Sequence, residues 1–356
     1  MFKVGLFITL LISPTLGFWR LPCSHAIVVE RADPIIFPGK ASPHVHVVAG
    51  SNKFSISAEY EDLVQGTCSS CEAFEDMSAY WIPQPYFHWK NGSFTQLQTG
   101  GMTIYYLLTT HPDDPSPIQA FPEGLKIVTG NPFKRAYDIK VHRDDESFGW
   151  RCIGATIDGK ENPFTPDFPK QNCPLALRAE VRFPPCWNGV DLDSENHASH
   201  MAYPEVLNGP CTKDFPKRFA TLLFEFWFTS AAFANNWGDA MDPTQPFVLS
   251  QGDPTGYGLH ADFQNGWNTE VLQKAVTECT DDTGVIDKCQ HFTLKKDADC
   301  NVAPQVNEVA TGTVDKLPGC NPIFKGPEDA PKDPKCDGGE FKIVQGAKID
   351  GISREW

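Results

Sequence analysis

The chain has 356 residues, 41% of them hydrophobic, with 30 Lys and Arg against 45 Asp and Glu and a formal net charge of −15. An acidic balance of this size excludes nucleic acid and anionic membrane as expected partners, because both reward clustered Lys and Arg. It is compatible with neutral or cationic polymers, and the length suits one large domain or two ordinary ones.

The chain opens MFKVGLFITLLISPTLGFWR, a single lysine ahead of an apolar run, with small or turn-forming residues before Phe18. This predicts a signal peptide over residues 1–17 and a secreted, extracellular protein. No later stretch reaches the roughly 18 apolar residues that cross a bilayer, so no membrane insertion is expected. Twelve cysteines follow, an even number that predicts up to six disulfides and leaves their pairing open. Cys68 and Cys71 have the spacing of a redox motif, but export favours structural bridges. Asn91-Gly92-Ser93 is an N-glycosylation sequon in a turn.

Phe18–Cys23 reads as a short aromatic arm and Ile27–Val29 as a brief strand before a turn at Ala32–Ile35. Pro38-Gly39 marks a second turn, and Val45–Val48 has β composition. On a strand, His44 and His46 project to one face. Residues 53–78 read as a surface connection, and two prolines in Met77–Trp89 predict an edge or irregular segment. Gly100–Leu108, Leu125–Thr129 and Phe148–Cys152 follow as strands. Thr221–Thr229 is the clearest strand, with Leu222, Phe224, Phe226 and Phe228 on its core face and Leu223, Glu225 and Trp227 on the other. If Gly256–Phe263 is extended, His260 and Asp262 face the same way. Apolar residues at helical intervals predict one good helix over Asn268–Cys279.

Short β-prone runs between Gly, Pro and Asn turns predict an all-β fold. It should be a β-sandwich or jelly-roll-like core with long disulfide-stapled loops and one or two short helices. The main β domain is expected over residues 18–280. Residues 281–356 form a cysteine-containing flank that wraps the domain or hangs from it.

Chemistry concentrates in SPHVHVVAG at 42–50, FPPCWNGVDLDSENHASHMAY at 183–203 and GDPTGYGLHADFQNGW at 252–267, which together hold five of the ten histidines. Polar runs between aromatics are poor core material, although a stapled surface loop explains them as well. Glycoside hydrolysis needs two carboxyl groups across a bond, roughly 5 to 9 Å apart, and Glu225, Asp262, Asp193 and Asp76 are candidates. A lyase needs a base, which His44, His46, His197, His200 or His260 supplies near neutral pH. The same histidines offer ligand pairs for a divalent metal, with His44, His46, His200 and His260 as the set, though no His-Glu-x-x-His motif is present. Tyr80, Trp81, Trp187, Trp227 and Trp267 are candidate sugar-stacking rings, with core packing as the rival reading. No Gly-x-Ser-x-Gly elbow, nucleotide loop or dinucleotide fingerprint occurs, which weakens esterase, kinase and nicotinamide-enzyme readings.

Asp33-Pro34, Ser42-Pro-His-Val-His46, Ser78-Ala-Tyr-Trp81, Phe183-Pro-Pro-Cys-Trp187, His197-Ala-Ser-His200, Gly252-Asp-Pro-Thr-Gly-Tyr-Gly258 and Asp262-Phe-Gln-Asn-Gly-Trp267 resemble a fungal secreted family known as DUF1996, a domain of unknown function. The signatures span roughly residues 20 to 280. Pro43 stands where the family often has serine, and Asp191 where asparagine is common. The resemblance implies polysaccharide or cell-wall surroundings and names no activity. Three functions therefore stay open: a glycan-active hydrolase or lyase with a His/carboxylate site, a histidine-based metal-binding protein, or a non-catalytic cell-wall or carbohydrate-binding protein.

Overall fold

The computed structural model describes residues 17–114, 116–142, 148–297 and 299–332. Residues 1–16 of the expected leader, and the flank beyond 332 with Cys336, lie outside them. The alternation of apolar and polar side chains builds two main antiparallel sheets from strands β1 (Phe18–Cys23), β2 (Val28–Glu30), β3 (His46–Gly50), β4 (Ala79–Pro83), β5 (Thr99–Leu107), β6 (Lys126–Gly130), β7 (Phe148–Ile153), β8 (Phe164–Thr165), β9 (Ala176–Arg182), β10 (Thr221–Phe228) and β11 (His260–Gln264). The six-stranded sheet runs β1-β5-β10-β9-β7-β8 and the five-stranded sheet β2-β3-β4-β11-β6. Smaller sheets surround them, and their one parallel pairing joins Lys217–Phe219 to Ile118–Gln119. The fold is all-β.

The inner face of the six-stranded sheet is a cross-strand ladder. Trp19, Tyr106 and Leu222 lie in one row, and Leu21, Ile104, Phe224 and Val181 in the next. These meet Val47, Ala49, Tyr80, Ile82, Ala261, Phe263 and Ile127 from the five-stranded sheet in a single core. The pattern along β10 is the expected one, with Phe224 and Phe226 fully buried. Side chains standing perpendicular to each sheet make this the sandwich interface.

The five-stranded sheet is buried on its second face as well. Val28, Val48, Trp81 and Ala79 pack there with Ile35, Phe54, Leu63 and Val306. Every residue of β3, β4 and β11 is consequently buried. This corrects the edge assignment for Met77–Trp89, because β4 is the central strand. Pro83 is tolerated as its last residue, opposite His46 where the ladder ends. The aromatic arm is β1, an edge strand carrying buried Trp19. The helix forms over Thr269–Glu278, its N-terminus capped by the Asn268 side chain on the Val271 amide.

Disulfides join Cys23–Cys71, Cys68–Cys300, Cys152–Cys173, Cys186–Cys211 and Cys279–Cys289, and Cys320 is disulfide-bonded too. Cys68 and Cys71 take different partners, so their spacing is structural. The described part of the flank, residues 281–332, packs along the domain. Cys300 ties it to Cys68, Thr313–Val314 adds a strand beside Phe94–Gln96, and Glu308 pairs with Arg31. No helix among the described residues is long and apolar enough to cross a membrane.

Phe224→Ala or Phe226→Ala is expected to cost about 3 to 5 kcal/mol in urea unfolding. Alkylation of unreduced protein should add no mass, since every described cysteine is bridged. Serine at both Cys68 and Cys300, which close a separation of 232 residues, should cost about 2 to 5 kcal/mol.

Candidate functional site

The second face of the five-stranded sheet carries, beside its apolar residues, Glu30 of β2, Lys126 of β6, and His46, His260, Asp262 and Gln264 of β3 and β11, the last four essentially without solvent exposure. His260 and Asp262 share that face by the two-residue strand period, and Trp81 stands opposite Asp262 in the ladder. Gly130 lies opposite His260 with φ +91°, and a Cβ there would fall 2.7 Å from the His260 Cα. Glycine therefore lets the β11 backbone at His260 approach β6 closely.

His44 precedes β3 in a bend held from several sides. Its own carbonyl accepts from the Ser42 hydroxyl, Arg31 donates to the Ser42 carbonyl, and Asn321 donates to the Pro43 carbonyl. The rings of His44, His46 and His260 lie 4.4, 5.0 and 5.8 Å apart pairwise. One ligand nitrogen from each falls within 4.8 Å of the other two.

Backbone carbonyls fix the ring orientations. His46 Nδ1 donates to the Ala32 carbonyl at 2.9 Å, and His260 Nδ1 to the Gly258 carbonyl at 2.9 Å. The Nε2 atoms of both rings are thereby left as lone pairs. His46 Nε2 is buried with no hydrogen-bond partner, and His260 Nε2 lies 3.0 Å from His44 Nε2. Burial is the main reason these rings resist protonation. It pushes His46 down to about 3 and His260 down to about 4, and holds His44 well below the usual imidazole range. At neutral pH all three are neutral donors.

A cleft of about 660 Å³ opens onto His44, His260 and Asp262. Asp33 lies on its wall, its Oδ1 accepting from the amides of Ile35 and Ile36. Burial raises its pKa to about 6 against those hydrogen bonds and the His197 charge. Neither oxygen of Asp262 has a hydrogen-bond partner; burial, then the charge of Asp33, pushes its pKa well above the carboxylate range. Among the described residues neither carboxyl is ion-paired, whereas the cleft cations Arg31 and Arg135 meet Glu308 and Asp253.

Of the five candidate histidines, three converge. His200 does not join them, because Ser194 takes its Nδ1 and the Lys126 carbonyl its Nε2. His197, with φ +56°, bonds Asp193 through Nδ1, and its carbonyl accepts from the Val128 amide. The stretch around them caps edge strand β6, and only Asn196 of it reaches the cleft lining. Glu225 lies on the outer face of the other sheet, bonded to Arg178 and Tyr105. Asp76 is a buried partner of Tyr80.

Among the candidate sugar-stacking rings, Tyr80, Trp81 and Trp267 are fully buried. Trp267 donates to the Tyr106 hydroxyl at 2.6 Å and Trp81 packs on Phe54, so none offers a face to a ligand. Trp227 lies under Arg178, and Trp187 stacks on Phe219. The rings that do line the cleft are Phe37, Phe133 and Phe324. Sequence reasoning missed these, as it missed Asp33, Arg31 and Arg135. The Asp33-Pro34 turn was a visible signal for one of them; isolated Phe and Arg residues carry none.

Trp81→Ala should cost about 3 to 5 kcal/mol, read by urea unfolding, as a core truncation rather than a binding defect. His200→Ala, which strips partners from Ser194 and the Lys126 carbonyl, should cost about 1 to 3 kcal/mol.

Comparison with known families gives a match over residues 33–267 to the model described as Domain of unknown function (DUF1996). No curated protein and no solved structure matches the chain.

Proposed function

The chain belongs to the DUF1996 family, whose description assigns no chemistry, and we propose from its cleft that it is a metal-dependent protein centred on His44, His46 and His260. The observation that carries this reading is the convergence of three neutral, buried imidazoles. Two are aimed by backbone carbonyls, and His46 Nε2 is left without a partner. Carbonyl-anchored rings with free Nε2 atoms are the usual outer-shell support of histidine metal sites. A histidine bound to zinc holds its nitrogen about 2.0 to 2.1 Å from the ion, so nitrogens sharing an ion sit a few ångströms apart. The His44–His260 separation of 3.0 Å already has that scale.

Charge supports the same reading. A divalent ion on three neutral imidazoles would bring two positive charges near Asp33 and Asp262, which have no ion pair among the described residues. Without a cation, leaving the Asp262 carboxyl buried and unbonded is costly. A three-histidine site with an open position is the arrangement that activates water for hydrolysis near neutral pH. Asp262, two residues from His260 on the same face, and its electrostatic neighbour Asp33 would be the carboxyls available to accept a proton from such a water. The disulfides fit an exported protein, and the leader-like start of the sequence supports the same inference.

Zinc or copper(II) titrated into chelator-treated protein should bind once per chain. At one hundred times Kd it should stabilise the fold by about 2.7 kcal/mol, read as a rise in Tm. His46→Ala and His260→Ala should lose the metal, while His200→Ala keeps it. Failure of the wild type to bind either ion, or wild-type loading of both His46→Ala and His260→Ala, would overturn the reading.

A further inference from the structure

The chemistry of the cleft walls restricts what can lie above the three histidines. Phe37 and Phe133 line the cleft together with the flank segment that carries Asn321, Ile323 and Phe324, and the flank's Ala330 amide bonds the Phe133 carbonyl. The three phenylalanine rings are only partly buried. Among the described residues none of them stacks on another ring, although Lys332 lies over Phe133 at 5.9 Å, which leaves Phe37 and Phe324 as the uncovered rings. Neutral amides of Asn131, Asn196, Gln251 and Asn321 also line the cleft.

The two arginines are already committed to the protein. Arg31 donates to Glu308 and the Ser42 carbonyl. Arg135 donates to the carbonyls of Phe324, Pro132, Lys134 and Gln251. The remaining lining cation, Lys332, lies over the Phe133 ring, so an anionic ligand finds no guanidinium fork to receive it. A cationic ligand meets two buried arginines and, on the metal reading, the ion as well. What the cleft lacks is hydrogen-bond donors for Asp262, whose two oxygens are buried and unbonded. A hydroxyl-rich neutral molecule supplies them. Its apolar ring face would suit the phenylalanines and its other hydroxyls the amides.

We infer that this cleft is a subsite for a neutral sugar residue, anchored by hydroxyl donation to Asp262 and flanked by Phe37, Phe133 and Phe324. The inference rests on the metal reading for its exclusion of cations. It also assigns a role to the flank. The three histidines, Asp33 and Asp262 all lie within the family-matched residues 33–267, whereas Asn321, Ile323 and Phe324 lie beyond them. The flank is held against the site, since Gly319 approaches so closely that a Cβ there would sit 2.1 Å from the Pro43 carbonyl oxygen. The matched segment thus carries the chemistry, and the flank supplies one wall of the ligand-selecting surface.

The test uses the full disulfide-bonded chain, both zinc-loaded and chelator-treated, with saturation-transfer NMR and calorimetry. The probes are neutral cellohexaose, xylohexaose, laminarihexaose and chitohexaose, set against an oligogalacturonate and a chitosan oligomer. At least one neutral oligomer should bind the zinc-loaded chain in preference to both charged ones. Phe324→Ala, Phe324→Leu and Asp262→Asn should each weaken it about tenfold with the melting curve intact. Phe324→Leu keeps the bulk of the wall if the alanine variant folds poorly. Preference for a charged oligomer, no neutral binding to either form, or neutral binding indifferent to all three substitutions would overturn the inference. If zinc fails to bind while neutral binding and its Phe324 dependence persist, the metal reading falls and the sugar subsite stands.

Discussion

Burial of the five-stranded sheet on both faces is the constraint from which the site follows. One face must meet the six-stranded sheet, and its side chains are accordingly apolar. The other face is covered by the 31–44 loop, the short helix at Tyr60–Leu63 and the flank near Val306. A polar group on that face loses water and has to find a protein partner or a ligand. His46 and His260 each find a carbonyl for one nitrogen; His46 keeps the other without a partner, and His260 turns its other to His44. Asp262 finds none. Desolvation that depresses the imidazoles and raises the carboxyls arises here from one cause, so opposite shifts appear within one cleft.

Covering that face falls to irregular chain rather than to a third sheet. Loops have few backbone hydrogen bonds of their own, and ordering them costs conformational entropy. The molecule offsets this with cross-links. Cys68–Cys300 anchors the flank far along the sequence, Arg31 joins Glu308 to the Ser42 turn, and Glu30 receives the amides of Gln305 and Val306. The bend that aims His44 is thus held by residues nearly three hundred positions away. Asp253 plays the corresponding part for His260. It accepts from the amides of Thr255 and Gly258, shaping the turn whose Gly258 carbonyl orients the imidazole.

The outer face of the six-stranded sheet shows how a catalytic-looking carboxylate can be structural. Glu180 and Glu225 are direct cross-strand partners, an arrangement that repels. Arg178 bridges them and lies over Trp227, and Arg151 pairs with Glu180. The pair is neutralised by its own strands, leaving no unmet demand of the kind Asp262 displays.

The sequence by itself determined the class of fold and its faces. The alternation in Thr221–Phe228 identified the core side of β10, and the spacing in Asn268–Cys279 identified the helix, because both depend on local periodicity. It also placed His44 near His46 by their closeness in sequence, although a bend and not a strand carries His44, and His260 with Asp262, since two-residue spacing on a strand sets a shared face. Tertiary structure alone decided that the first pair meets His260 while His200 turns to the Lys126 carbonyl. It decided as well that Pro83 ends a central strand, that Trp81 is core, and that a flank without evident motifs supplies Phe324 to the cleft. Those outcomes depend on which strands are neighbours and on what covers the second face. Pairings between residues hundreds of positions apart leave no periodic trace in a single chain.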